Sequence, residues 1–240
     1  MKLSTRLLKW YDKEGRDLPW RRTRDPYPIL VSEIMLQQTQ VDRVRRYYRD
    51  WLKQFPSWKR LAEAGNADVI RAWAGLGYNR RALALRNIAR EVVKGGVPKT
   101  EEDWLKLKGI GPYTAAALSI LAQNKKTLPV DTNIRRVLGR LLLGRPYPNV
   151  EDGNIVRTNH SYVLNETDRH ADMVQALFDL ASKYCTKIPE CAGCPMRSVC
   201  PAGKKFLAGE VKNVKRITPV ARERIRPGKK YPDRIYRGRI

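Results

Sequence analysis

Apolar residues recur along this chain at intervals of three and four and nowhere in sustained alternation, the pattern of helices buried on one face rather than of strands. The first stripe, Leu3, Leu7, Leu8 and Tyr11, predicts a helix over 3–11 that ends near Gly15. The following RDLPWRRTRDPYPIL carries three prolines and reads as a loop. From Pro28 the spacing turns helical again, breaks or kinks at QQTQ (37–40), and continues amphipathically to Phe55. Two short helices follow at 57–64 and 66–74, Gly75 and Gly77 interrupt, and a helix resumes over 82–93. After the GGVPKT turn (95–100), residues 101–107 form a helix leading to Gly109-Ile110-Gly111, where Pro112 opens an Ala-rich helix. Asp131 starts another, running to Gly144; RPYPNVEDGNIVRTNH reads as an irregular connector. Residues 168–184 are helical, with Met173, Ala176, Leu177, Leu180 and Ala181 on one face. No internal repeat is evident. The fold class is all-α.

Charge narrows the partner. Across 240 residues, 48 Lys and Arg face 24 Asp and Glu, a net charge of +24 that suits a polyanion, nucleic acid first among them. The competing readings are a solvated cationic surface or an anionic membrane, but the basic residues run throughout the chain rather than along one amphipathic segment. No signal peptide or membrane-spanning run is visible, so a soluble, cytoplasmic protein is expected, with no membrane partner. In that reducing setting Cys185, Cys191, Cys194 and Cys200, spaced C-x5-C-x2-C-x5-C, read as metal ligands rather than disulfides. Structural zinc usually brings two close pairs, and only Cys191 and Cys194 make one; an iron cluster is favoured over zinc. Residues 206–240 hold eleven Lys and Arg against three acids and read as a basic tail.

Two carboxylates stand out. Glu33 has Ile29, Leu30 and Leu36 as its helical neighbours, which sets the carboxyl on or beside the apolar stripe. Burial would hold it protonated near neutrality, as a general acid requires; at the edge of the stripe it would simply reach water. Asp131 is a lone acid at the start of a helix, a position that an N-cap alone would explain. The Gly-Ile-Gly turn with its following helix N-terminus could take a phosphate, aided by Lys106 and Lys108, or be a tight helix connection. Leu76 and Tyr78 are expected on an exposed loop beside Arg80 and Arg81, able to stack on or wedge between bases. Arg16, Trp20, Arg21 and Arg22 suit contact with a base or phosphate, or an ordinary packed loop.

In this order, LPW (18–20), VSEIMLQQTQV (31–41), WAGLGYNRRA (73–82), LKGIGPYTAAA (107–117), VDTNIRRVLGR (130–140) and the four cysteines resemble the helix-hairpin-helix DNA glycosylases, and within them the MutY-type adenine DNA glycosylases, over about residues 3–202. The resemblance implies two helical domains with the active site in the cleft between them. An N-terminal helix (1–20) would pack on the cluster domain (128–205), with a helical barrel carrying the hairpin at 21–127 and the tail at 206–240. It implies a monomer acting on double-stranded DNA that holds a mismatch or damaged base, nucleoid-associated through that DNA, and a [4Fe-4S] cluster on the four cysteines. Glu33 would be the general acid that protonates adenine, Asp131 the carboxylate that stabilises an oxocarbenium-like sugar, and Asn133 its orienting partner. Tyr113 stands where strand-cutting relatives carry a lysine, so a monofunctional glycosylase is implied. Gln38 and Thr39 would contact the opposite base, Leu76 and Tyr78 would form the wedge, and Lys108, Gly109, Ile110 and Gly111 the hairpin contact. Gln175, with Arg16, Trp20 and Arg21, would line the base pocket.

Two features depart from the pattern. The chain ends too early for the MutT-like domain that checks for 8-oxoguanine in MutY enzymes, so strict dependence on that lesion is not implied. The first cysteine spacing is one residue shorter than the usual six, a small loop deletion that should still let Cys185 reach iron. Alternatives are a thymine or uracil glycosylase acting on T:G or U:G, a Tyr at position 113 being shared with that branch, and a non-catalytic DNA-binding scaffold.

Overall fold

The computed structural model describes residues 2–211; the basic tail expected over 206–240 lies outside them from residue 212 onward. Every regular element among the described residues is a helix, and none is long and apolar enough to cross a membrane. The chain opens with α1 (Leu3–Glu14), which buries Leu7 and Leu8 and ends where the Gly15 N–H donates to the Tyr11 carbonyl. A 3₁₀ turn at Pro19–Arg21 leads to α2 (Pro26–Leu36). The Asp25 side chain accepts the Tyr27 N–H there, and Pro26 occupies the first turn, where its missing donor costs nothing. This helix therefore begins earlier than Pro28, its predicted start.

From Ile29 to Met35 every residue of α2 is buried, as expected of a helix that is apolar on all sides. Around it pack α3 (Val41–Gln54), α6 (Arg80–Gly95) and α8 (Pro112–Leu121), while α4 (Trp58–Glu63) and α5 (Asn66–Trp73) brace α6, and α7 (Glu101–Leu105) braces α8. On the other side α9 (Thr132–Leu141) packs against α10 (Val150–Thr158), α12 (His170–Lys183) and α13 (Pro201–Leu207). Helix α12 also touches α8 and α1, and α11 (Ser161–Leu164) touches α1. One continuous core runs from Leu7 to Met196. Although first in sequence, α1 packs with the late helices: Trp10 lies edge-on to Tyr184 at 6.0 Å, and Arg169 pairs with Asp12 at 2.6 Å.

Of the break or kink expected at QQTQ, the structure has the break, between α2 and α3. Other expectations differ from what is found. The connector after Gly144 contains α10 and α11; Asn149 and Asp152 form a reciprocal capping box, and Val156, Val163 and Leu164 enter the core. Helix α13 carries regular structure past residue 205 to Leu207. Leu76 is not exposed: with φ of +99° at Gly75 and +76° at Gly77 the turn coils back and points it into the core, 6% exposed, and Arg81 is buried as well. Only Tyr78 of the expected wedge pair faces solvent, 59% exposed.

Candidate active site

Three helices converge on one group of polar side chains. Helix α2 delivers Glu33, the first turn of α8 delivers Tyr113, and the N-terminus of α9 delivers Asp131 and Asn133. Glu33 is only 8% exposed, so the reading in which it reaches water does not hold. Burial raises its pKa from an ordinary 4.5 to about 7; the Tyr113 hydroxyl within hydrogen-bonding reach opposes this, and the charge of Asp131 adds to it. Tyr113, itself desolvated and facing two carboxylates, is held well above its usual value and remains a neutral phenol.

Asp131 is an N-cap and something more. Its Oδ1 accepts the backbone N–H groups of Asn133 and Ile134, both at 2.8 Å, and its Oδ2 accepts the Asn133 side-chain amide at 2.7 Å. These three donors, at the N-terminus of α9, hold the Asp131 side chain in one orientation beside Glu33 and Tyr113. The capping and functional readings are thus compatible, since the same bonds that start the helix fix the carboxylate. Asn133 in turn accepts from Arg136 at 3.0 Å, and the Arg136 Nε donates to the Cys185 carbonyl at 2.6 Å. Sequence reading passed over Arg136; its position one turn after Asn133 on α9 was the available signal.

The positions expected around a base pocket divide differently. Asp179, on α12 and almost fully buried, receives Arg16 at 2.6 Å and both Nη groups of Arg21 at 2.8 Å. Burial alone would raise the Asp179 pKa, but Arg21 and Arg16 outweigh it and hold the pKa below the ordinary value. Trp20, expected at the pocket, is packed in the core edge-on to Tyr48 at 5.4 Å. Gln175 lies half-buried on α12, one turn before Asp179 and on the same side of that helix.

The expected DNA contacts form exposed turns. Gln38 (φ +58°) and Thr39 sit in the break after α2, Gln38 exposed and Thr39 half-buried. At the hairpin Gly109 adopts φ +105°, Lys108, Gly109 and Gly111 are exposed, and Ile110 turns inward. No side chain caps the N-terminus of α8, and Gly111 and Pro112 at its start are exposed. Lys106 is paired with Asp103 at 2.7 Å.

None of the four cysteines is in a disulfide, and all four line one small cavity with Arg140, Tyr184, Arg197, Gly203 and Phe206. Burial pushes Cys194 up to about 12 and raises Cys191 and Cys200, so thiolates here need a cationic centre between them. Among the described residues no three His, Cys, Asp or Glu groups are placed to hold a single metal ion. Polar donors already address the sulfurs: Arg140 lies 3.4 Å from Cys185 Sγ, and the Gly203 N–H lies 3.3 Å from Cys200 Sγ.

Comparison with known proteins places these features in context. The profile described as HhH-GPD superfamily base excision DNA repair protein matches residues 31–178. The adenine DNA glycosylase of Homo sapiens is 39% identical over 212 residues, covering 83% of this chain and 39% of that protein. The adenine DNA glycosylase of Mycolicibacterium smegmatis is 38% identical over 212 residues, covering 85% and 71%. This chain thus spans about two fifths of the length of its mammalian relatives. A solved structure of a thermostable thymine-DNA glycosylase superposes with a TM-score of 0.75 at 31% identity, covering 84% of this chain and 95% of that one. A trapped endonuclease III–DNA covalent intermediate, at 18% identity and a TM-score of 0.67, shares the fold.

Proposed function

From the premise that the chain belongs to the HhH-GPD superfamily of base excision DNA repair proteins, we propose that it is a monofunctional DNA glycosylase hydrolysing the N-glycosidic bond of adenine mispaired with guanine or 8-oxoguanine in duplex DNA. The observation that carries this reading is the buried Glu33 carboxyl, poised near pH 7 beside Tyr113 and Asp131. Adenine leaves poorly until a ring nitrogen is protonated, and a neutral Glu33 supplies that proton. As the bond breaks, positive charge grows on the sugar, and the anchored Asp131 carboxylate, oriented by Asn133, stabilises it. Tyr113 has no amine to form a Schiff base with the abasic sugar, so strand cleavage is not part of the reaction. A target base inside a duplex must be flipped out to reach these groups, Tyr78 filling the gap, Gln38 and Thr39 facing the opposite base and Gln175 reading the adenine edge. The hairpin at 108–111 would hold a backbone phosphate.

Cys185, Cys191, Cys194 and Cys200 would hold a [4Fe-4S] cluster, which when bound would supply the positive centre that keeps the thiolates ionised and the loop folded. In domain terms, α1 would belong with α9–α13, the helices from α2 to α8 would form the barrel, and one copy would bind one duplex. A second reading, a thymine or uracil glycosylase acting on T:G or U:G, draws support from the thymine-DNA glycosylase likeness, which spans nearly all of that protein. Single-turnover base release from duplexes carrying A:8-oxoguanine, A:G, T:G and U:G, with and without alkali, separates the two. Alkali-dependent cleavage of the adenine strand is expected; reaction confined to T:G and U:G would overturn the adenine assignment and leave the acid chemistry standing.

A further inference from the structure

Arg81 is a buried cation with no carboxylate partner among the described residues; its charge is met by oxygens from two separate segments, the end of α2 with the following loop and the 76–77 turn. Its Nη1 donates to the carbonyls of Ile34 at 2.9 Å, Met35 at 3.3 Å and Gln37, all at the end of α2. Its Nη2 donates to Gly77 at 3.1 Å, Leu76 at 3.4 Å and the Thr39 hydroxyl at 3.4 Å. The guanidinium also lies 5.4 Å from the Trp73 ring centre and 5.5 Å from that of Tyr78. The free carbonyls at the C-terminus of α2 carry partial negative charge, which offsets the cost of burying a cation there.

The two segments it joins are unusual. Among the described residues only Gln38, Tyr78 and Asn124 are non-glycine residues with positive φ, and the first two sit one in each segment. Such backbone persists only where the surroundings over-determine it. A planar fork whose one nitrogen serves α2 and whose other serves the 76–77 turn provides that constraint; a lysine ammonium, a single point donor, cannot span both.

We propose that Arg81 is a positioning residue that couples the 37–40 loop to the Tyr78 turn, so that contact with the opposite base and filling of the vacated stack happen as one event. The inference rests on the glycosylase reading above, and its test keeps the two apart. Affinity is measured by fluorescence anisotropy for a duplex carrying a tetrahydrofuran abasic analogue opposite guanine and for the same duplex fully paired. Gln38→Asn and Tyr78→Asn, both exposed and both changed to a residue that tolerates positive φ, are combined in a double-mutant cycle. Coupling of about tenfold between them is expected in the native background. Arg81→Lys keeps the buried charge; it should remain folded by thermal melting, lose about tenfold of the preference for the analogue duplex, and render the two Asn substitutions additive. Additive effects with Arg81 intact overturn the coupling, whatever the fate of the lysine variant. Undiminished coupling in a folded Arg81→Lys protein overturns the role of Arg81. A native protein that does not prefer the analogue duplex overturns the glycosylase reading itself.

Discussion

The burial that makes Glu33 expensive to the fold is also what suits it to the acid role proposed for it. A carboxyl whose pKa is 4.5 in the unfolded chain and about 7 in the folded one binds its proton more tightly when folded. Stability therefore declines as pH rises from about 4.5 to 7, and above 7 the native state carries the full penalty of a buried charge. Glu33→Gln keeps the shape and removes that penalty. Chemical denaturation should show the variant more stable than the native protein by up to about 3 kcal/mol above pH 7, and by nothing near pH 4. In the same preparation adenine release should vanish while duplex binding persists. Unchanged base release would remove Glu33 from the chemistry, and a pH-independent stability difference would mean the carboxyl is not buried as an acid. The sequence indicated this residue through Ile29, Leu30 and Leu36 but could not decide between stripe and edge. That decision is made by α8 and α9, whose Tyr113 and Asp131 close over it from positions 80 and 98 residues further along the chain.

Between elements, charge does structural work that residue patterns did not disclose. Asp179 on α12 gathers Arg16 and Arg21 from the segment after α1, so the 3₁₀ turn holding Trp20 is clamped to the far side of the molecule. Removing the carboxylate leaves two guanidinium groups partly desolvated without a partner, a change that typically costs about 3–5 kcal/mol. Asp179→Ala should fall in that range by urea unfolding; a loss under about 1 kcal/mol would mean the pair is solvated rather than structural. Arg16 and Arg21 were legible as cations beside an aromatic, but their partner lies over 150 residues away, beyond any local pattern. The helices at 150–164 were missed for a different reason. Pro146, Pro148 and Gly153 read as breakers, whereas Asn149 and Asp152, three apart, were the local signal that a helix begins between the prolines and the glycine. Leu76 shows the limit of reading loops: two apolar residues flank Gly77, and only the coiling allowed by positive φ determines that Leu76 turns inward and Tyr78 outward.

At the scale of the whole molecule, charge is spread unevenly between fold and flank. Residues 212–240 hold eleven Lys and Arg against two acids, nine of the 24 net positive charges in about an eighth of the chain. The proposed catalytic groups are carried instead by α2, α8 and the start of α9, so affinity and catalysis should be separable. Each phosphate neutralised contributes about −0.9 to the slope of log K against log salt, and the slope counts contacts irrespective of sequence. Ending the chain after residue 211 should make that slope shallower by about 0.9 for every phosphate the tail engages. The single-turnover rate at saturating enzyme should stay within about twofold, about 0.5 kcal/mol of the barrier, since Glu33, Tyr113, Asp131 and Asn133 are all retained. Titration of one mispaired duplex at four salt concentrations, with the rate measured at each, checks both. A slope unchanged by the truncation would place all phosphate contacts on the helical body, with the exposed hairpin at 108–111 and the uncapped N-terminus of α8 their natural site. A slower saturated rate with an unaltered slope would instead show that the tail acts on the arrangement of the active site rather than on the phosphate backbone.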